Sequence, residues 1–327
     1  MHIQRIIGLL VVTLCCIPHT WAQVTAEQRW HTGSVFYYVT KTEMMWQFQG
    51  GTCHEGGYNF GLLPDGDEYI MTEFNPYDDT PIDYTSHKGQ IGDKVVARKI
   101  GDTELLIDYH EGKVVETFIR FQGSLQEVIQ QNMLKAIEGV YQDLTTGKRI
   151  IIHPDCTLEG IPGISRFTFG EEYETPSNVL VLDNKKCLRY KLSMEGVNLY
   201  ETTLNEGDVY SDDGKQVYRL KKISSLLGQA HDTPGRWPFA SYEVLTNGLL
   251  TEFPTEMLQL IRNEIFARHG YNFTEGGKMQ LYFGGQSWYN PGNPNNAIEL
   301  NEIEKINVSL IQSMEKDEFR WGPELDQ

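Results

Sequence analysis

The apolar residues of this chain keep two periods, a strand-like rhythm over the first two-thirds and a helical spacing over the last third. Short β-branched or aromatic runs at 34–40, 44–48, 58–63, 69–74, 94–100, 104–109 and 114–121 are punctuated by Gly50-Gly51, Asp65-Gly66, Gly101-Asp102 and Glu111-Gly112. Runs bounded so closely by turn formers predict strands joined by hairpins, and hence an antiparallel sheet. Residues 75–90, with Asp78, Asp79 and Asp83 among turn formers, read as a long acidic loop. The rhythm returns at 140–143, 149–153, 166–169, 179–182, 188–192, 197–203 and 217–220, with turns at Thr146-Gly147, Asp183-Asn184 and Asp213-Gly214. This second set predicts a small barrel or sandwich. No aligned period establishes the two sets as copies of each other.

Between the sets, Leu125, Val128, Ile129, Leu134 and Ile137 share a helical face, which predicts a connector helix over 125–137. Ser124 is placed to cap it, and Glu127 three residues on completes a capping box. A linker containing Gly, His, Asp and Pro, 228–235, leads to the last region. There Met257, Leu258, Ile261 and Ile265 form the stripe of an amphipathic helix that ends at Gly270, a residue that takes a positive φ cheaply. Glu264 and Arg268 stand four apart along one edge of the stripe, acid before base, the favourable order for a helical ion pair. Arg262 and His269, seven apart, border the other edge. A short helix near 278–283 precedes Trp288-Tyr289 and a turn-rich loop at 290–294. Asn301, with Glu304 three residues later, caps a third helix whose inward stripe is Ile303, Ile306, Leu310 and Met314. The whole is an α+β chain: two antiparallel β-rich modules, each a small barrel or sandwich, followed by a compact helical domain.

The run Arg262-Asn263-Glu264-Ile265-Phe266-Ala267-Arg268-His269-Gly270-Tyr271 is similar to the core of the YARHG domain, a small module of exported bacterial proteins. Pro238-Phe239-Ala240-Ser241, Tyr282-Phe283, Trp288-Tyr289 and Leu300-Asn301-Glu302-Ile303-Glu304-Lys305-Ile306-Asn307 surround it in the order that family shows them. Phe266 stands where the family has the tyrosine that opens its name, keeping the ring and losing the hydroxyl. The likeness spans about 236–316. It implies a fold and an exported setting, and brings no established activity with it.

The beginning of the chain agrees with export. Arg5, the apolar run 6–17 and Thr20-Trp21-Ala22 before Gln23 predict a secretory signal over 1–22, cleaved near Ala22. The run is short for a membrane anchor, and Leu14 occupies the position where a lipid-modified Cys15 would want a small residue. No later run is long enough to cross a bilayer, so the expected product is periplasmic or extracellular and does not span a membrane. The remaining chain divides into 23–123 (β-rich), 124–230 (helix and second β-rich module), 236–316 (helical domain) and a charged tail at 317–327. With 17 tyrosines and 14 phenylalanines it has the apolar bulk for real cores. The net charge of −17, and −18 once the signal with its single arginine is removed, opposes nucleic-acid phosphate and adsorption to anionic lipid.

Chemistry is harder to place. Histidine as a residue type can exchange a proton near neutrality, and His269 has Glu264, Arg262 and Arg268 close on one helix, the makings of a general base or of a cationic pocket for an anionic ligand. Against this, a basic last turn before glycine is also how a helix satisfies its exposed carbonyls and its dipole. No serine, cysteine or metal-ligand set pairs with His269 by a recognised spacing. Trp288 and Tyr289, beside Tyr282 and Phe283, can form a platform for a sugar ring or the core of their module. His31, His54, His87, His110, His153 and His231 are scattered, and the run Asp208–Gly214 lacks the later glutamate of a calcium loop, so no metal is expected. No phosphate loop or dinucleotide fingerprint calls for a cofactor. Cys156 and Cys187, in one β-rich module, are the candidate disulfide, leaving Cys53 as a free thiol. The reading that follows is a non-enzymatic binding protein recognising a cell-envelope polymer or surface protein, with Arg262, Arg268, Trp288 and Tyr289 as ligand candidates. Its rivals are a hydrolase of envelope material using Glu264 and His269, and a module that only packs the β domains.

Overall fold

The computed structural model describes the backbone of six early strands (29–31, 35–39, 44–48, 59–65, 68–74 and 81–82), then residues 94–317 except 121–123, 173–174, 206, 208 and 293, and finally 323–326. The signal at 1–22, Cys53, His54, His87, most of the acidic loop, Asp208 and part of the tail lie outside the described residues.

The predicted antiparallel α+β architecture is present. The first sheet comprises β1 (Arg29–His31), β2 (Val35–Val39), β3 (Met44–Phe48), β4 (Asn59–Asp65), β5 (Glu68–Phe74), β6 (Pro81–Ile82), β7 (Lys94–Ile100), β8 (Thr103–His110) and β9 (Lys113–Arg120). The second comprises β10 (Gly139–Asp143), β11 (Arg149–Ile152), β12 (Leu158–Glu159), β13 (Phe167–Glu172), β14 (Thr175–Leu182), β15 (Cys187–Leu192), β16 (Gly196–Thr202) and β17 (Gln216–Ser224). Their orders are β3-β2-β1-β9-β8-β7-β5-β4, with β6 on β5, and β12-β11-β10-β17-β16-β15-β14-β13. Setting β6 aside, these are one topology used twice. In each, the first strand pairs with the last, and the third and fourth become the two edges.

The second sheet curls because its edges are drawn together. Thr157 and Arg166 form a bridge beside β12 and β13, with the Leu158 amide donating to the Ser165 carbonyl at 2.8 Å. Alternation then sends Leu188, Tyr190 and Leu192 of β15 inward. The connector helix α1 spans Leu125–Ile137 with Ser124 and Glu127 forming the expected capping box, and lays Met133, Leu134 and Ile137 into the same core.

One stretch departs from expectation. The linker expected at 228–235 begins inside a short helix, α2 (Leu226–Ala230), capped by the Ser225 hydroxyl. A Cβ on Gly228 would lie 2.5 Å from the Thr233 carbonyl and 2.8 Å from the Pro238 ring, so this glycine serves close packing and not looseness.

The helical region follows as a 3-10 turn at Pro238–Ser241, then α3 (Asn247–Leu250), α4 (Thr255–Arg268), α5 (Lys278–Gly284) and α6 (Glu302–Met314). Its core is continuous with that of the sheets, running from Leu105 and Tyr141 through Trp237 and Phe253 to Ile261 and Leu310. Polar bonds fix the seam with β9. Val114 donates its amide to Ser309 Oγ (2.9 Å) and accepts from Ser313 Oγ (2.6 Å), while Asn247 Nδ2 donates to the Val115 carbonyl (2.9 Å). Arg236 ties the other side: its guanidinium lies 4.7 Å from the Trp237 ring centre and donates to the Met194 carbonyl at 2.6 Å, in the turn after β15. Among the described residues no helix is long and apolar enough to cross a membrane.

Candidate functional site

The chain enters the helical region through 234–237, where neither strand nor helix satisfies its backbone, and buried N–H groups must find acceptors. Glu264 supplies them. Its side chain is 1% exposed and accepts from the Arg236 amide at 2.9 Å, the Trp237 amide at 2.8 Å, and the guanidinium of Arg268 one turn along α4. Gly235, at φ +116°, makes room: a Cβ there would sit 2.4 Å from a Glu264 oxygen. Arg268 completes the exchange from the donor side, reaching the carbonyls of Pro234 and Trp237 and the Ser241 hydroxyl, each at 2.8 Å. The predicted four-apart ion pair therefore exists. It is nearly buried, and its desolvation is offset by backbone bonds on both partners.

His269 turns the other way. It caps the end of α4, and Gly270 follows at φ +74°. Its Nε2 lies 3.0 and 2.9 Å from the two carboxylate oxygens of Glu304, which is 2% exposed. The same Glu304 closes the capping box with Asn301 at the start of α6. One carboxylate thus joins the C-terminal end of α4 to the N-terminal end of α6, where the helix dipole favours a negative group. Arg262 makes the third link, a two-pronged pair through Nε and Nη2 to Glu315 at 2.9 and 3.1 Å, just past α6. Glu264 and His269 consequently face different partners, Arg268 with the 236–237 amides and Glu304 respectively. Glu304 and Glu315, the partners across the module, were missed in the sequence because nothing local connects residues 35 and 53 positions apart.

Trp288 and Tyr289 gather around Phe283, which is wholly buried on α5. Their ring centres stand 6.0 and 6.1 Å from it, Phe273 stacks on it at 5.2 Å, and the Tyr289 hydroxyl donates to the Tyr271 carbonyl at 2.6 Å.

An open cleft of about 460 Å³ lies on the other flank of α4. Phe266, Tyr271 and Phe273 form its aromatic wall, with neighbouring ring centres 5.7 and 5.0 Å apart. Gln259, Asn263, Gln280 and Gln312 add amides, and Arg262 and Lys278 two cations, the former already oriented by Glu315. Of these residues only Arg262 was named as a ligand candidate in the sequence. The pairing of Tyr271 and Phe273 just after the helix stop was the available signal.

The expected disulfide is not formed: Cys156 and Cys187 are separate thiols. Cys156 sits at φ +62° in the turn between β11 and β12, whereas Cys187 opens β15, with β13 and β14 between them around the curl. Burial pushes both thiols up, away from the reactive thiolate. Asp213 pairs with Arg189 and Lys191. Among the described residues no three His, Cys, Asp or Glu side chains gather as a metal would require.

Residues 237–316 match the family model described as the YARHG domain. No curated protein and no solved structure matches the chain.

Proposed function

Because this chain carries a YARHG domain over residues 237–316, we propose that it is a non-enzymatic binding protein of the cell envelope or extracellular space that holds a surface polysaccharide between α4 and α5. The cleft beside Phe266, Tyr271 and Phe273 carries this reading. Aromatic faces accept the apolar side of a sugar ring, and the opposing amides both donate and accept, as sugar hydroxyls and N-acetyl groups require. Lys278 and the fixed Arg262 extend the match to acidic sugars. Export rests on the 1–22 signal pattern and on the company this domain keeps in exported proteins. The competing hydrolase, with Glu264 and His269 at work, would have to use a carboxylate whose two oxygens already hold Arg236, Trp237 and Arg268.

The test is calorimetric titration of the full mature chain with chitotetraose, a soluble run of N-acetylated sugars. Saturable binding should weaken at least tenfold in Phe266→Leu and Phe273→Leu, which keep apolar bulk and lose the ring. Undiminished binding by both variants would remove the cleft as the site.

A further inference from the structure

A second cavity, of about 380 Å³, lies well away from the α4–α5 cleft, where residues 323–326 cross over β14 and β15. The crossing segment is fixed in place. Asp326 bridges to Ser193 in parallel, donates its amide to the Leu192 carbonyl at 2.9 Å, and accepts through Oδ2 from Asn198 Nδ2 (2.9 Å) and the Tyr200 hydroxyl (2.6 Å). It roofs a space walled below by Tyr190 and Leu192 and at the side by Glu252, just beyond α3.

Two polar groups in this space are left unanswered. Tyr190 is 4% exposed, and among the described residues its hydroxyl has no hydrogen-bond partner. A buried hydroxyl that gave up water and met no partner is destabilising, so a ligand that supplies one is favoured. The Glu252 carboxyl, near enough for its charge to act on Tyr190, has neither donor nor counter-charge among the described residues. Glu252 keeps intermediate solvent exposure, yet the protein around it desolvates it enough to push its carboxyl up to about 8. The remaining polar neighbours are already engaged. Lys191 pairs with Asp213, and Asn178 accepts from Arg189 at 2.9 Å and donates to the Tyr190 carbonyl at 3.1 Å. Glu324 and Asp326 add further carboxylates at the roof, and Leu325 an apolar side chain.

What remains in the cavity is thus a set of acceptors with one hydroxyl, beside an apolar wall. A group with several N–H donors, no acceptor and a positive charge on a short hydrocarbon stem is its complement, and an ammonium has that inventory. We infer that this cavity is a binding site for a small primary amine, its ammonium seated between Glu252 and Tyr190 and its stem against Leu192 and Leu325. The bound cation replaces the lost hydration of the Glu252 carboxylate, so below about pH 8 binding displaces the carboxyl proton to solvent. Tyr190, Lys191, Glu324 and Asp326 are the other titratable groups facing this space.

Calorimetric titration of the full mature chain with n-butylammonium chloride tests the assignment, with tetramethylammonium chloride as a cation lacking N–H donors. Saturable binding of butylammonium alone is expected, weakening roughly fifty-fold from pH 8 to pH 6, with proton release seen as heats that depend on the buffer's ionisation enthalpy. Glu252→Gln, which preserves the neutral shape, should weaken binding at least tenfold and flatten its pH dependence, and Tyr190→Phe should cost several-fold. No saturable heat with butylammonium, as for a cavity that holds water only, would overturn the proposal. So would equal binding of the two cations, or a Glu252→Gln chain that binds as the wild type does. The wild-type pH profile and proton count decide the matter even if a variant fails to fold.

Discussion

Glu264 points into the 234–237 entry with both oxygens engaged, whereas Phe266, two residues along the same helix, borders an open cleft with its ring partly exposed. The conspicuous charged residues of α4 and its C-terminal end are each bound to backbone or to an opposite charge: Glu264 and Arg268 to 234–241, His269 to Glu304, and Arg262, at the edge of the cleft, to Glu315. The cleft flank holds less conspicuous rings and amides that face solvent. Rare residues in a recurrent motif can therefore mark places where buried backbone has no other partner, while recognition falls to commoner residues beside them. A second comparison makes the same point. Glu264 is a buried glutamate supplied with donors, and Glu252 a part-exposed, desolvated one with none among the described residues.

The largest break in this contrast is Glu264→Ala. It strands the Arg268 guanidinium and two amides, and full-chain stability in urea should fall by roughly 3–5 kcal/mol. A loss under about 1 kcal/mol would show that the carboxylate is not the scaffold described.

Glu252 sharpens the contrast from the opposite side. Its folded carboxyl titrates near 8, above its ordinary value of 4.5, so the folded state holds the proton more tightly than the unfolded one. That contribution is fully present below about pH 4.5 and is lost as pH rises through about 8, a span of roughly 2–3 kcal/mol once its partial exposure is allowed for. Urea melts across this range should show the decline in the wild type, less so in Glu252→Gln. Parallel curves would contradict it.

A double-mutant cycle on His269 and Glu304 should give a coupling of about 1–2 kcal/mol, since the imidazole is one-third exposed and the carboxylate is not. Zero coupling would separate the helix ends joined here. Smallest of all, Lys278→Ala at the exposed rim of the cleft should leave stability within about 0.5 kcal/mol while weakening an acidic oligosaccharide several-fold and chitotetraose less.

Local signals were read well. Helix α1 occupies the 125–137 predicted, both capping boxes are present, and the strand rhythm locates most of the two sheets. Elements of two or three residues, β1, β6 and β12, are too short to show a period. Non-local pairing was not legible. Nothing in the spacing tells β1 to join β9 or β10 to join β17, and so the shared strand order of the sheets emerges only in three dimensions. The same limit hid Glu304 and Glu315, whose roles depend on how α6 lies against α4. It also made Cys156 and Cys187 look like partners, since nearness in sequence says little about which face of a curled sheet each thiol occupies.

The central claim is that the charged residues of α4 hold the entry to the helical region in place, and hydrogen exchange reads it most directly. In the full chain the Arg236 and Trp237 amides, bonded to Glu264, should exchange as slowly as the core helices, and in Glu264→Ala both should speed up by at least a hundredfold while amides of β15 change far less. Unchanged rates at Arg236 and Trp237 in that variant would contradict the account.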